Sequence, residues 1–353
     1  MVLNIPEADL TDLRTRLRNT RWATPWPVPA WEAGTDGATL RRLVEHWASD
    51  YDWREHEAAI NALPHHAGAV PYLRFGEGFP LLLANGWPST FLELVELARR
   101  LASAGFTVIV PSLPGYGTAP QRHALAEAPH THDLWHTLMH DELGFPRYGA
   151  HGSDIGAGDV SRLAQAHPES VVGLHLLDTA NPAAYDPAGL TGAERAFLDA
   201  ENAWAEAERG YSHEQQTRPL TLAQGLSDSP SGLLAWIVEK YRAWSDDFAA
   251  FSDDFVLTQA SLYWFTNSIS TSFRPYYERA LALVPPVSLV TVPTAYARFP
   301  ADLGARKPRS WIERTYPDVR RYTEMPRGGH FAAHEQPALL ADDITAFFTA
   351  LSR

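Results

Sequence analysis

Leu10, Leu13 and Leu17 recur at helical spacing after Pro6, with Arg14, Arg16 and Arg18 between them. The pattern predicts a first helix over residues 7–18 whose arginines form a solvated face. A Trp- and Pro-rich stretch from Trp22 through Trp26 to Trp31 follows, then a second helical stretch carrying Trp47 and Trp53. Exposed Trp at this density would drive aggregation, so residues 1–66 read as an N-terminal extension packed against the rest of the chain. From about residue 67 the pattern changes to short apolar runs separated by helical stretches: Pro80–Ala84, Thr107–Val110, a strand starting at Tyr148, and Val171–Leu177. Such alternation predicts an α/β architecture with a mostly parallel central sheet. Over 181–285 the strand signal gives way to helix-like stretches with Trp204, Trp236, Trp244 and Trp264, where a helical cap is expected. The alternation resumes over 286–353, with Pro293–Phe299, a strand near Arg321–Met325 and a final helix near 337–351. The core is thus expected in two parts, 67–180 and 286–353.

Composition narrows the functional classes. The 353 residues suffice for a large core plus an insertion, and the net charge of −13 disfavours nucleic acid and anionic lipid as partners. With no cysteine, disulfides, thiolate catalysis and Cys-ligated metals are excluded. The first residues lack a basic region followed by an apolar run, and no stretch approaches the ~18 apolar residues of a membrane span. A cytoplasmic enzyme without a membrane anchor is the expectation.

The chemistry centres on Gly152-Ser153-Asp154-Ile155-Gly156, a nucleophile-elbow pattern of the α/β-hydrolase fold with a carboxylate where most such enzymes carry serine. At an elbow the residues two before and two after the nucleophile must be small. Centring on Asp154 puts Gly152 and Gly156 there, whereas centring on Ser153 would put His151 and Ile155 there. A serine displacing an alkyl leaving group would leave an ether, which has no carbonyl for water to attack. A carboxylate leaves an ester that a histidine-activated water can hydrolyse, so Asp154 points to alkyl transfer. Its ordinary pKa of about 3.9 leaves it ionised at neutral pH.

Other parts of such a site have candidates in chain order. After the first apolar run, Asn85-Gly86-Trp87-Pro88 can turn an N–H toward the nucleophile, so the N–H groups of Trp87 and Ile155 are the expected oxyanion donors. His330, in Arg327-Gly-Gly-His-Phe331, follows the last strand, where the base belongs. For the acid, Asp302 after the penultimate strand and Asp178 before the cap both qualify. His132, His136 and His140 fall at i, i+4 and i+8, with His123, His130, Asp133 and Asp141 nearby, a spacing that suits zinc or nickel. Nothing near them supplies a general base or an open site, and the expectation is no metal.

These motifs, together with Pro111-Ser-Leu-Pro-Gly-Tyr-Gly117, Phe299-Pro-Ala-Asp302 and Arg327–Ala333, resemble the microsomal-type epoxide hydrolases. The N-terminal arm, with Ile5-Pro6, Thr20-Arg21-Trp22, Tyr51-Asp52-Trp53-Arg54 and Leu63-Pro64, resembles that family's N-terminal domain. The resemblance covers nearly the whole chain. It implies conversion of an epoxide to a vicinal diol, with no cofactor, and with the epoxide and water as partners. It also implies Asp154 as nucleophile, His330 as base and Asp302 rather than Asp178 as acid. Tyr211 and Tyr276 are implied as cap phenols that protonate the leaving oxygen, with Tyr277 competing for the second place. Trp87, Pro88 and Ile155 are the expected substrate contacts. Three departures stand out: Asn85 in place of the usual His, Ile155 in place of a common Trp, and a short stretch between Pro64 and Gly76 that predicts a trimmed first strand pair. The membrane anchor of animal members is not seen, implying a soluble protein, and a homodimer stays open. Haloalkane or haloacid dehalogenation, which uses the same Asp chemistry, and a non-catalytic binder on a hydrolase scaffold are the competing readings.

Overall fold

The computed structural model describes residues 2–122, 125, 128–303 and 307–351. Its centre is an eight-stranded sheet in which β1 (His65–His66), β2 (Tyr72–Phe75), β3 (Phe79–Ala84), β4 (Phe106–Pro111), β5 (Tyr148–Gly152), β6 (Val171–Leu176), β7 (Thr294–Arg298) and β8 (Val319–Glu324) run in the order β1-β2-β4-β3-β5-β6-β7-β8. The pairings β1–β2 and β2–β4 are antiparallel and the rest are parallel. Every residue of β4 and β5 is buried, which explains why those strands are mostly small or apolar, His151 apart: helices cover both faces of the parallel part. β1 and β2 lie between Pro64 and Gly76. At two and four residues they are too short to show a period of their own; β2 is made a strand by pairing with β4, and β1 by pairing with β2.

Helices and 3₁₀ turns fill the interval between β6 and β7, from Pro187 to Ala280, and form the cap. The N-terminal arm holds three helices, Glu7–Arg18, Gly37–Ser49 and Trp53–Asn61. The single second helical stretch expected from the sequence is thus two. The break falls at Asp50–Asp52, where the Asp52 carboxylate accepts from the Arg54 N–H over 2.9 Å and starts a new helix.

The arm lies largely on the cap. Trp47 Nε1 donates to Ser261 Oγ over 3.0 Å, Tyr51 and Thr258 hydroxyls pair at 3.0 Å, and Leu10, Leu13, Leu17 and Trp53 are buried. Two details differ from the sequence reading. Arg16 is not simply solvated, since its guanidinium also donates to the carbonyl and the carboxylate of Asp228 at 2.9 Å each. Trp26 is 74% exposed, because the extended Pro-rich stretch around it presents its side chain outward. Among the described residues, no helix is long and apolar enough to cross a membrane.

Candidate active site

β5 ends at Gly152 and the helix Asp154–Ala166 begins two residues later, so Asp154 sits on the turn itself, with φ at 49°. That left-handed conformation is unfavourable for a residue with a Cβ and marks a strained position. The flanking glycines make it feasible: a Cβ on Gly152 would come within 2.8 Å of Ala157, and one on Gly156 within 2.6 Å of the Asn85 carbonyl. Asn85 is buried, its carbonyl accepts from the Gly156 N–H over 3.1 Å, and its amide donates to the carbonyl of Gly86 over 3.2 Å.

The Trp87 N–H donates to Asp154 Oδ1 over 2.9 Å. The other oxygen, Oδ2, lies 3.7 Å from His330 Nε2, too long for a hydrogen bond. Burial raises the Asp154 pKa above the ordinary carboxylate value, while His330 and the N–H groups of Ile155 and Trp87 pull it back in part. The His330 imidazole is held from its other side, with Nδ1 2.8 Å from Asp302 Oδ1. Burial alone would lower the His330 pKa, but Asp302, Asp154 and Glu93 outweigh it and raise it to about 9.

The two carboxylates left open by the sequence are separated by their partners. Asp178 is engaged by Lys307, whose Nζ donates to Asp178 Oδ1 over 3.0 Å and to the Thr179 carbonyl over 2.6 Å. Desolvation pushes the Asp178 pKa up, yet Lys307 keeps it below the ordinary value. Asp302 is the carboxylate in contact with the imidazole.

Across from Asp154 the cap presents Tyr211 and Tyr276, with ring centroids 6.2 Å apart at 78°. Both line, together with Asp154 and Ile155, a cleft of about 640 Å³. Burial and the Asp154 charge raise both phenol pKa values, so both stay protonated at neutral pH. Tyr277, half-buried, is not part of this lining. Nor are Trp87 and Pro88, expected as substrate contacts: the Trp87 indole is fully buried, with Tyr211 stacked on it at 5.4 Å and 6°, so the phenol stands where the indole would meet a ligand. Ile155 alone of the three expected contacts reaches the cleft.

The histidine run folds differently from a regular helical face. The segment Thr137–Glu142 is π-helical, which shifts the register after His136. His130 stacks on His132, and His136 stacks on His140 and on His167. Among the described residues, no three His, Cys, Asp or Glu side chains gather as metal ligands, and His123 lies outside those residues.

Some of the site escapes sequence reading. Glu93, on a short turn after the Trp87 loop, is buried, and desolvation raises its pKa to about 7 despite a hydrogen bond from Ser89. Lys240 is buried with its ammonium 4.5 Å from the centre of the Tyr211 ring and paired to Glu239. Trp244 packs edge-on against the His330 ring at 5.1 Å. Their only sequence signal is a polar or aromatic residue within an apolar helical stretch, which does not tell a site residue from a core one.

Comparison with known proteins places the chain. Residues 1–94 match the family described as epoxide hydrolase N terminus, and residues 80–228 match the alpha/beta hydrolase fold. Epoxide hydrolase 1 of Sus scrofa is 30% identical over 98% of this chain and 87% of its own length. The crystal structure of juvenile hormone epoxide hydrolase from the silkworm Bombyx mori superposes with a TM-score of 0.89 at 27% identity, covering 100% of this chain and 94% of that one. Aspergillus niger epoxide hydrolase does so at 0.86 and 29%, over 99% and 96%. An eight-stranded sheet in this order, a carboxylate on the elbow, and likeness running the length of both partners lead to one assignment: the chain belongs to the epoxide hydrolase family, hydrolase enzymes of the α/β-hydrolase fold.

Proposed function

We propose that the protein opens an epoxide to a vicinal diol through a covalent ester on Asp154. The observation that carries this reading is the unequal setting of the two carboxylate oxygens. Oδ1 accepts from the Trp87 N–H over 2.9 Å, while Oδ2 is the oxygen turned toward His330, 3.7 Å from its Nε2. Oδ2 attacks an epoxide carbon from the side opposite its C–O bond. As that bond breaks, the oxygen takes a proton from Tyr211 or Tyr276, leaving a hydroxyalkyl ester.

In this scheme Oδ1 becomes the ester carbonyl oxygen, already in the hole where charge develops next. Ester formation also removes the Asp154 charge, one of the groups that hold the His330 pKa near 9. The imidazole therefore becomes a usable base when it is needed. Water gives a proton to Nε2 and its oxygen to the ester carbon. The tetrahedral intermediate collapses, the diol oxygen takes the proton back from His330, and the proton left on the new carboxyl returns to the phenolate, so that the Asp154 carboxylate and the cap phenol are both regenerated. Asp302 holds the imidazole tautomer and stabilises the imidazolium.

Mass spectrometry of a His330→Gln protein mixed with an aryl epoxide tests the scheme, since the expected product is enzyme heavier by one substrate mass. An Asp154→Asn protein turning over epoxides at the parent rate would refute it. In single turnover with excess enzyme in H₂¹⁸O, the label should enter Asp154 and not the diol.

A further inference from the structure

The loop that carries His330 is joined to the cap by a seam of hydrogen bonds, and one side chain makes most of them. Glu335 ends the short helix Ala332–Glu335. Its Oε1 accepts from the N–H of Gly329 and of Phe331, each over 3.2 Å, the residues on either side of His330. Its Oε2 accepts from the Asp246 N–H over 2.8 Å, in the link that follows the cap helix Pro230–Trp244. Two more bonds cross the same seam: the Gly328 N–H donates to Asp246 Oδ2 and the His330 N–H to the Trp244 carbonyl, both at 2.8 Å. The approach is close enough that a Cβ on Gly329 would lie 2.6 Å from the Trp244 carbonyl oxygen and 2.7 Å from the Asp246 nitrogen.

We infer that Glu335 is a positioning residue for His330, fastening the histidine loop and the cap into one body. A carboxylate suits the place because three backbone N–H groups, of Gly329, Phe331 and Asp246, point at it, and a side chain with two acceptor oxygens can serve the loop and the cap together. Asp302 fixes the imidazole about Nδ1, but the position of the ring over the Asp154 ester depends on the backbone that carries it. Glu335 braces that backbone on both sides of His330, beside the bonds to Asp246 and Trp244. The step that needs His330 is ester hydrolysis, whereas alkylation uses Asp154 and the cap phenols. Loss of Glu335 should therefore divide the two half-reactions. The inference rests on the two-step scheme above.

The test is single-turnover rapid quench with an aryl epoxide on the full chain, following adduct by intact mass and diol by chromatography, for the parent and for His330→Gln, Glu335→Ala and Glu335→Gln. Glu335→Ala should slow ester hydrolysis by about 10-fold or more, as expected for a base displaced by a fraction of an ångström, with alkylation within about 2-fold of the parent. Glu335→Gln, nearly the same size, keeps one acceptor for Gly329 and Phe331 but sets an NH₂ against the Asp246 N–H. It should give a smaller slowing of the same step, and it serves if the alanine protein fails to fold. Equal slowing of both steps, or of neither, in a folded Glu335→Gln protein that accompanies a trapping His330→Gln protein would overturn the role of Glu335 alone. Absence of any adduct in His330→Gln would overturn the two-step scheme and this inference with it.

Discussion

The two halves of the site are built by different means. On the sheet side, atoms are placed by hydrogen bonds to fixed partners: Trp87 N–H to Asp154 and His330 to Asp302. On the cap side, Tyr211 and Tyr276 are placed by rings, Tyr211 stacked flat on Trp87 and Tyr276 edge-on to it at 6.1 Å and 85°. Displacement at carbon needs a nucleophile in line with the breaking bond, so it requires the directional placement that the backbone supplies. A phenol has only to reach an oxygen lone pair, and packing gives sufficient accuracy.

The comparison yields graded tests. Removing the base is expected to do most: His330→Gln should cut steady-state turnover by about 10⁴-fold while leaving alkylation in place, read as a burst of adduct without diol. Tyr211→Phe and Tyr276→Phe should each slow alkylation by about 10²-fold and leave hydrolysis of preformed ester unchanged, the reverse of the base variant. If either phenol variant instead accumulated adduct, the division of labour between the halves would fail. Trp87→Leu, which removes the platform beneath Tyr211 but keeps the N–H at Asp154, should cost about 10-fold in alkylation, measured by the same quench.

Stability supplies the smallest effects, and their signs are set by protonation. Burial raises the Asp154 pKa, so its ionised form is a liability in the folded state above the unfolded value of about 3.9. Asp154→Asn should thus raise the Tm at neutral pH, with the gain vanishing near about pH 3. The His330 pKa is raised to about 9, so its ion pairing stabilises the fold fully below about 6.5 and is lost as pH rises through 9. His330→Gln should therefore lower the Tm most at mildly acid pH, the gap closing above pH 9 in calorimetry.

How much of this could be read beforehand follows the range of the interactions. The elbow was legible because its requirement is local: two glycines must flank the nucleophile within five residues. The strands β3, β4 and β6 were legible because burial leaves largely apolar runs, whereas β8, with two arginines and a glutamate and only its first residue buried, was legible only from its place before the final helix. β1 and β2 were not, since β2 finds its partner in β4, more than thirty residues on, and β1 pairs only with β2. The break at Asp50–Asp52 was missed because Trp47 and Trp53 suit one continuous helix as well as two.

The same division holds in the site. The sequence alone determined which residue types the proposed chemistry would use: a carboxylate flanked by two glycines in the elbow pattern, and a histidine after the last strand. It left Asp302 and Asp178 unresolved, as it did Tyr276 and Tyr277, because each pair is chemically alike. The tertiary structure separated them by neighbours distant in sequence: Lys307 occupies Asp178, and the cleft wall includes Tyr276 and not Tyr277. It alone brought Glu335 between the histidine loop and the cap, since Asp246 lies 89 residues away and nothing local calls for their meeting. Bond chemistry is carried by residue type, which a sequence states outright; orientation depends on which distant groups fill the remaining lone pairs, and only the folded chain decides that.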